Sequence, residues 1–206
     1  NSFELSWKSK DGLDLFGRVW EPSERKPKAV ICHVHGLSEH SGRYTHVAEA
    51  FMNSGYTMLS FDLRGHGRSG GARGHLPSFD SYMDDVDLLF EQARSRHPGL
   101  PMLLYGHSLG GIIVLSYGLK RKPDIRGVIA TGPGLHTALE QQPVKMILSR
   151  VLGALTPNAT MPSGLDAKML SHDPSIVDAY VNDPLVHSKV TLGFGRNMLN
   201  AVRYTL

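Results

Sequence analysis

The sequence predicts an α/β chain: a mostly parallel sheet covered by helices on both faces, followed by a helical cap. Three observations predict it. Between residues 29 and 131, β-rich runs alternate with apolar helical stripes across short links, the pattern of strands joined by helical crossovers. The run Ala29-Val30-Ile31-Cys32-His33-Val34-His35 is continuous rather than alternating, as a strand buried on both faces requires. After Gly134 the rhythm stops, and Pro143, Pro157, Pro162, Pro174 and Pro184 separate short helical pieces. The expected division is therefore an N-terminal α/β core over 1–134 and a cap over 135–206.

Each element follows from its local pattern. Residues 3–20 alternate about the turn Lys10-Asp11-Gly12, with Leu13, Leu15 and Val19 on one face, which predicts an antiparallel hairpin at a sheet edge. Tyr44, Val47, Ala48, Phe51 and Met52 recur at helical spacing, and Gly55 stands where a C-terminal cap belongs. A strand follows over 56–61. Phe79, Tyr82, Met83, Val86, Leu89, Phe90 and Ala93 form one stripe of a helix, with Ser78 as N-cap, Asp80 in its first turn, Arg94 and Arg96 in its last, and Pro98-Gly99 as its stop. A strand over 102–105, a helix over 109–122 ended by Pro123, and a strand over 127–131 complete the core. In the cap, Pro143 opens an amphipathic helix with Val144, Ile147, Leu148, Val151, Leu152 and Leu155 on one side, and helical pieces are expected over 176–181 and 194–206, with no further strand.

Composition narrows the function classes. The 206 residues are 41% hydrophobic and 20% charged, ordinary for a globular chain and unlike disordered or collagen-like sequences. The formal charge of +3 comes from 22 basic against 19 acidic residues without a basic block, so nucleic acid is not an expected partner. The single cysteine, Cys32, allows no internal disulfide and fits a reducing, cytoplasmic setting. No apolar stretch is long enough to span a bilayer, and Asn1-Ser2-Phe3-Glu4 does not open a secretory signal. The 11 histidines lack a close carboxylate or thiol set, so no metal site is expected.

Gly106-His107-Ser108-Leu109-Gly110 fits G-x-S-x-G, with a strand before it and an apolar helix after it. A serine hydroxyl is a weak nucleophile and must project from a sharp turn toward a base, and flanking glycines let strand and helix approach closely. The bland alternative is a glycine-rich turn whose serine caps the next helix. His35-Gly36-Leu37, at the end of another strand, supplies the second half of an acyl-transfer site: an oxyanion needs two backbone N–H donors, here Leu109, after the nucleophile, and Leu37. Gly65-His66-Gly67-Arg68-Ser69-Gly70 is formally G-x-G-x-x-G, but Gly71, Gly74 and Pro77 prolong the loop where a dinucleotide site would open a helix at once. Lys145 and Arg150, opposite the apolar stripe of the cap helix, suit either core packing or transient rest on a membrane.

These residues resemble the α/β-hydrolases, and within them the monoacylglycerol lipase group. The similar stretches are His35-Gly36-Leu37-Ser38-Glu39-His40-Ser41-Gly42-Arg43-Tyr44, Asp62-Leu63-Arg64-Gly65-His66-Gly67-Arg68-Ser69, Gly106-His107-Ser108-Leu109-Gly110-Gly111 and Tyr180-Val181-Asn182-Asp183-Pro184-Leu185. The resemblance implies an α/β-hydrolase fold and hydrolysis of a monoacylglycerol or similar lipid ester through an acyl-enzyme on Ser108, with no cofactor. It implies Leu37 and Leu109 as oxyanion donors, and Gly36, Glu39, Arg43, His107 and Tyr180 near the glycerol end. General carboxylesterase or thioesterase activity, or a catalytically incomplete hydrolase-fold binding protein, are the alternatives.

The chain departs from that family in one respect. The order nucleophile, acid, histidine places the last two on loops after later strands. Asp183 and His187 have the right order but fall in the cap-like segment. The expectation is that the acid, the base and the C-terminal part of the core lie outside these residues: on a companion C-terminal chain or fragment, in later residues of a longer sequence, or lost by natural truncation; a lone piece would leave strand edges unpaired.

Overall fold

A computed structural model describes residues 1–135 and 151–205. Six strands form the main sheet: β1 (Ser2–Lys8), β2 (Asp14–Trp20), β3 (Val30–Val34), β4 (Thr57–Phe61), β5 (Met102–His107) and β6 (Gly127–Thr131), in the order β1-β2-β4-β3-β5-β6. The hairpin β1–β2 pairs antiparallel and adds to β4 antiparallel, whereas β4, β3, β5 and β6 run parallel. Each parallel step is crossed by a helix, α1 (Thr45–Asn53), α2 (Phe79–Arg96) or α3 (Leu109–Arg121), as the alternation in the sequence predicts. The molecule is an α/β-hydrolase fold with a mostly parallel sheet.

Strand β3 is buried along its whole length, and its alternate residues serve different layers. Val30, Cys32 and Val34 join Leu59, Phe61, Leu104 and the apolar faces of α2 and α3 in the main core. On the other face Trp20 and Met58 meet Tyr44 and Ala48 beneath α1. Burial pushes the Cys32 thiol up to about 12, so it is a small apolar core residue rather than a nucleophile. The hairpin turn is tied down by Arg64, whose buried guanidinium meets Asp85 at 2.7 and 2.8 Å and Asp11 at 2.8 Å.

Beyond residue 150 the chain differs from its pattern in two ways. Two short strands, β7 (Thr160–Pro162) and β8 (Lys189–Thr191), pair antiparallel where no strand was expected. Three residues are too few to show a period, and Pro162 masks the run as a breaker. Helix α4 (Pro174–Val181) lies between them, whereas α5 (Leu192–Thr205) returns to the core. Phe194, Ala201 and Val202 of α5 belong to the main apolar cluster, and Thr205 bonds Ser116 of α3 through their hydroxyls. The expected cap helix falls largely outside the described residues; in its last turn, 151–155, Val151, Leu152 and Leu155 are exposed.

Among the described residues, strand β6 ends the sheet with no strand paired to its outer edge. Val128 and Ile129 are each 37% exposed, unusual for a β-branched strand beside the core of a parallel sheet.

Candidate active site

Ser108 sits between β5 and α3 with φ 53° and ψ −113°, a left-handed turn that an L-residue adopts only under constraint. The glycines around it supply that constraint. A Cβ on Gly106 would collide with the backbone of Gly110, and one on Gly110 with the carbonyls of Val34 and His35, so strand and helix touch through bare backbone. The Ser108 side chain does not cap α3, which removes the bland alternative for the motif. Its backbone N–H donates to the Thr131 carbonyl across to β6 at 3.0 Å, and its hydroxyl makes no side-chain hydrogen bond among the described residues.

Leu109 occupies the first position of α3, where a backbone N–H has no intrahelical acceptor. Leu37 follows the end of β3, and Leu37, Ser108 and Leu109 line one cavity of about 320 Å³. The remaining wall is mostly apolar, with Ile112 of α3, Met161 of β7, Leu165 just after it, and Phe194 and Met198 of α5.

His35 fixes the peptide that presents Leu37. Its Nδ1–H donates to the Gly36 carbonyl at 2.7 Å, and its Nε2 accepts the Leu63 N–H at 2.9 Å. A trans peptide holds C=O and N–H antiparallel, so anchoring the Gly36 carbonyl sets the direction of the Leu37 N–H. Burial holds His35 down to about 3, against the pull of the Gly36 carbonyl, so the ring stays neutral in the tautomer these two bonds require.

The polar residues expected beside the glycerol end form a connected row. One Glu39 carboxylate oxygen accepts the Gly36 N–H and, at 2.6 Å, the Tyr44 hydroxyl; the other lies 3.8 Å from Arg43 Nε. The Arg43 guanidinium covers the ring of Tyr180 from α4 at 4.8 Å. His107 stands apart, its Nδ1 paired with Thr131 Oγ1 at 3.0 Å and its ring 6.3 Å from that of Tyr44. Gly36 packs against the nucleophile itself: a Cβ there would lie 3.3 Å from that of Ser108.

Asp183 and His187 do not come together. Asp183 accepts from His40 Nε2 at 2.9 Å and from the Leu185 N–H at 2.9 Å. Burial works to raise its carboxyl, but these two donors outweigh it and hold it below the usual range. His187 pairs with the Lys189 carbonyl and packs its ring 4.6 Å from that of His66. Their chain order fits acid and base, but the loops that carry them face other partners, in line with an acid and base that lie elsewhere.

Two supports carry no motif that a sequence reading detects. Asp62, fully buried, accepts the Ser41 N–H at 2.8 Å and the Arg68 N–H at 2.7 Å, and so pins the loop after β3 to the glycine-rich loop after β4. Tyr44 is the second. The only hint of either lay in position, a carboxylate and an aromatic at the edges of resembling stretches. The glycine-rich loop does not open a helix; α2 begins at Phe79.

Residues 25–206 match the family described as serine aminopeptidase, S33. The chain belongs to this family of α/β-hydrolases. It is 37% identical over 197 residues to a monoacylglycerol lipase of Mycolicibacterium smegmatis, covering 95% of this chain and 70% of that protein. It is 34% identical over 194 residues to human monoglyceride lipase, covering 93% of this chain and 63% of the human protein. The crystal structure of the Paleococcus ferrophilus monoacylglycerol lipase superposes with a TM-score of 0.79 at 32% identity, covering 100% of this α/β-hydrolase chain and 71% of the other. The chain thus spans roughly two thirds of the length of these relatives. No helix among the described residues is long and apolar enough to cross a membrane.

Proposed function

We propose that the protein is a serine esterase that cleaves monoacylglycerol, or a similar lipid monoester, to fatty acid and alcohol. The observation that carries this reading is a strained, glycine-flanked Ser108 opening into an apolar cavity whose rim holds Leu37 and Leu109. Ser108 Oγ attacks the ester carbonyl, and the Leu37 and Leu109 N–H groups take the developing oxyanion. Collapse expels the alcohol and leaves an acyl-serine, which water then hydrolyses. The acyl chain fills the cavity, which has no carboxylate among its described lining residues to bind the α-amino group of a peptide. That favours an ester over the peptide substrate in the family's description. Arg43, stacked on Tyr180 and beside Glu39, and His107, whose ring lies 6.3 Å from that of Tyr44, are assigned to the alcohol end.

A base must take the Ser108 proton, and Asp183 and His187 are engaged elsewhere. We infer that the acid and histidine come from chain that pairs with the open edge of β6, where Val128 and Ile129 await cover. The exposed Val151, Leu155, Leu165 and Met169 support transient membrane contact through the cap, and the lone buried Cys32 supports a cytoplasmic setting.

Mass spectrometry after brief fluorophosphonate treatment of the full protein tests the reading. A single adduct on Ser108, with release of fatty acid from a monoacylglycerol, is expected. Ser108→Ala should lose the adduct and lower kcat by more than about 10³-fold. An unlabelled Ser108 in folded protein would remove the serine-esterase assignment.

A further inference from the structure

The loop that presents Leu37 is held at a second point, and the group that holds it is Glu39. Between Gly36 and Glu39 the chain doubles back through Ser38, a non-glycine residue at φ 58° that is fully buried, with its hydroxyl unpartnered among the described residues. Such a turn is strained and needs external contacts to persist. The Glu39 carboxylate folds back over it, and one oxygen accepts both the Gly36 N–H and the Tyr44 hydroxyl. Tyr44 is itself packed against the sheet: 7% exposed, its ring lies 4.0 Å from that of His33, a β3 residue bonded to Ser60 of β4 at 2.9 Å. A line of contacts thus runs from the centre of the sheet through Tyr44 and Glu39 to the backbone of Gly36, one peptide before the Leu37 N–H.

We propose that Glu39 is a positioning residue for the oxyanion hole: braced by Tyr44, its carboxylate holds the Gly36 N–H and with it the direction in which Leu37 donates to the carbonyl under attack. The inference rests on the serine-esterase reading of Ser108. It replaces a headgroup contact for Glu39, because one carboxylate oxygen is already occupied by two donors within the loop and the other faces Arg43. His35 anchors the carbonyl of the Gly36–Leu37 peptide and Glu39 the N–H of the preceding one, so Gly36 is fixed on both sides. A donor preset in this way costs no reorganisation when charge develops, which is where its effect on rate arises.

The two roles separate kinetically. A headgroup contact acts on glyceryl esters alone and through KM, whereas a misdirected oxyanion donor slows every ester through kcat. The full protein is assayed with a monoacylglycerol and with the p-nitrophenyl ester of the same fatty acid, alongside the rate of fluorophosphonate labelling at Ser108. Glu39→Ala should lower kcat about 10- to 100-fold on both esters, with KM within about twofold, and slow labelling in proportion. Glu39→Gln, which keeps an oxygen facing Gly36, should recover kcat to within about fivefold of wild type. Tyr44→Phe, which removes one anchor, should fall between them and carries the comparison if Glu39→Ala does not fold. Loss confined to the monoacylglycerol and expressed in KM, or kcat and labelling unchanged in Glu39→Ala and Tyr44→Phe, overturns the inference while leaving Ser108 as nucleophile. Wild-type protein unlabelled at Ser108 overturns both.

Discussion

At Gly36 two side chains of opposite character act on adjoining peptides, and the neutral one is as necessary as the charged one. His35 is wholly buried, donates through Nδ1 to the Gly36 carbonyl and accepts from Leu63 through Nε2. Replacing it with alanine leaves the Leu63 N–H buried without an acceptor and frees the peptide that carries the Leu37 donor. The expected result is destabilisation by about 1–3 kcal/mol together with a fall in kcat of about tenfold or more. His35→Asn keeps a donor for the Gly36 carbonyl and should restore kcat more fully than stability. Urea unfolding and steady-state kinetics on the same preparations separate the two effects; equal recovery of both by asparagine would show that His35 serves stability alone.

Between elements, the loop after β3 is held to the last turn of α4 through Arg43 and Tyr180, and to the segment just after α4 through His40 and Asp183. These join parts of the chain more than a hundred residues apart, and α4 itself is short, with Ile176 and Val181 exposed. Removing the Asp183 carboxylate should therefore release α4 before it disturbs the sheet. For Asp183→Ala, proteolytic cleavage and amide exchange in residues 164–188 should rise while β3, β4 and β5 remain protected. Uniform loss of protection would place the contact in the global core instead. The same contrast explains what was legible in the sequence. The core strands and α1 to α3 announce themselves through continuous apolar runs and stripes, because burial on two faces or along one stripe leaves a periodic record. Ser108, Leu37 and Leu109 announce themselves because a strained turn demands glycines at fixed offsets. β7 and β8 leave no record, being three residues long, and α5 reads like any amphipathic helix, so its return to α3 is invisible before the fold is known. The pairings of Asp183 with His40 and of Glu39 with Gly36 depend on loop paths, which no period encodes.

Among the described residues, three histidines lie where burial opposes taking up a proton. His33, His35 and His66 are each fully buried, and burial holds His35 down to about 3 and the other two well below their usual value. In the unfolded chain all three titrate near the ordinary histidine value of about 6.5. As pH falls below that value the unfolded state binds protons that the folded state refuses, so the stability these neutral rings allow is intact above about 6.5 and lost on acidification. Each proton that the fold refuses and the unfolded chain accepts gives a slope of up to about 1.4 kcal/mol per pH unit. Asp11, held down to about 2 chiefly by Arg64, adds to the loss at still lower pH as it is forced to protonate. The full protein should therefore lose stability progressively as pH falls below about 6.5, followed by the fluorescence of Trp7 and Trp20 in urea titrations at successive pH values. His66→Asn isolates one member: asparagine can still donate to the Arg64 carbonyl that His66 Nδ1 contacts at 3.1 Å, but it takes up no proton in the unfolded state. Its slope below pH 6 should be shallower than wild type by about 1.4 kcal/mol per pH unit, and an unchanged slope would mean that His66 is protonated within the fold.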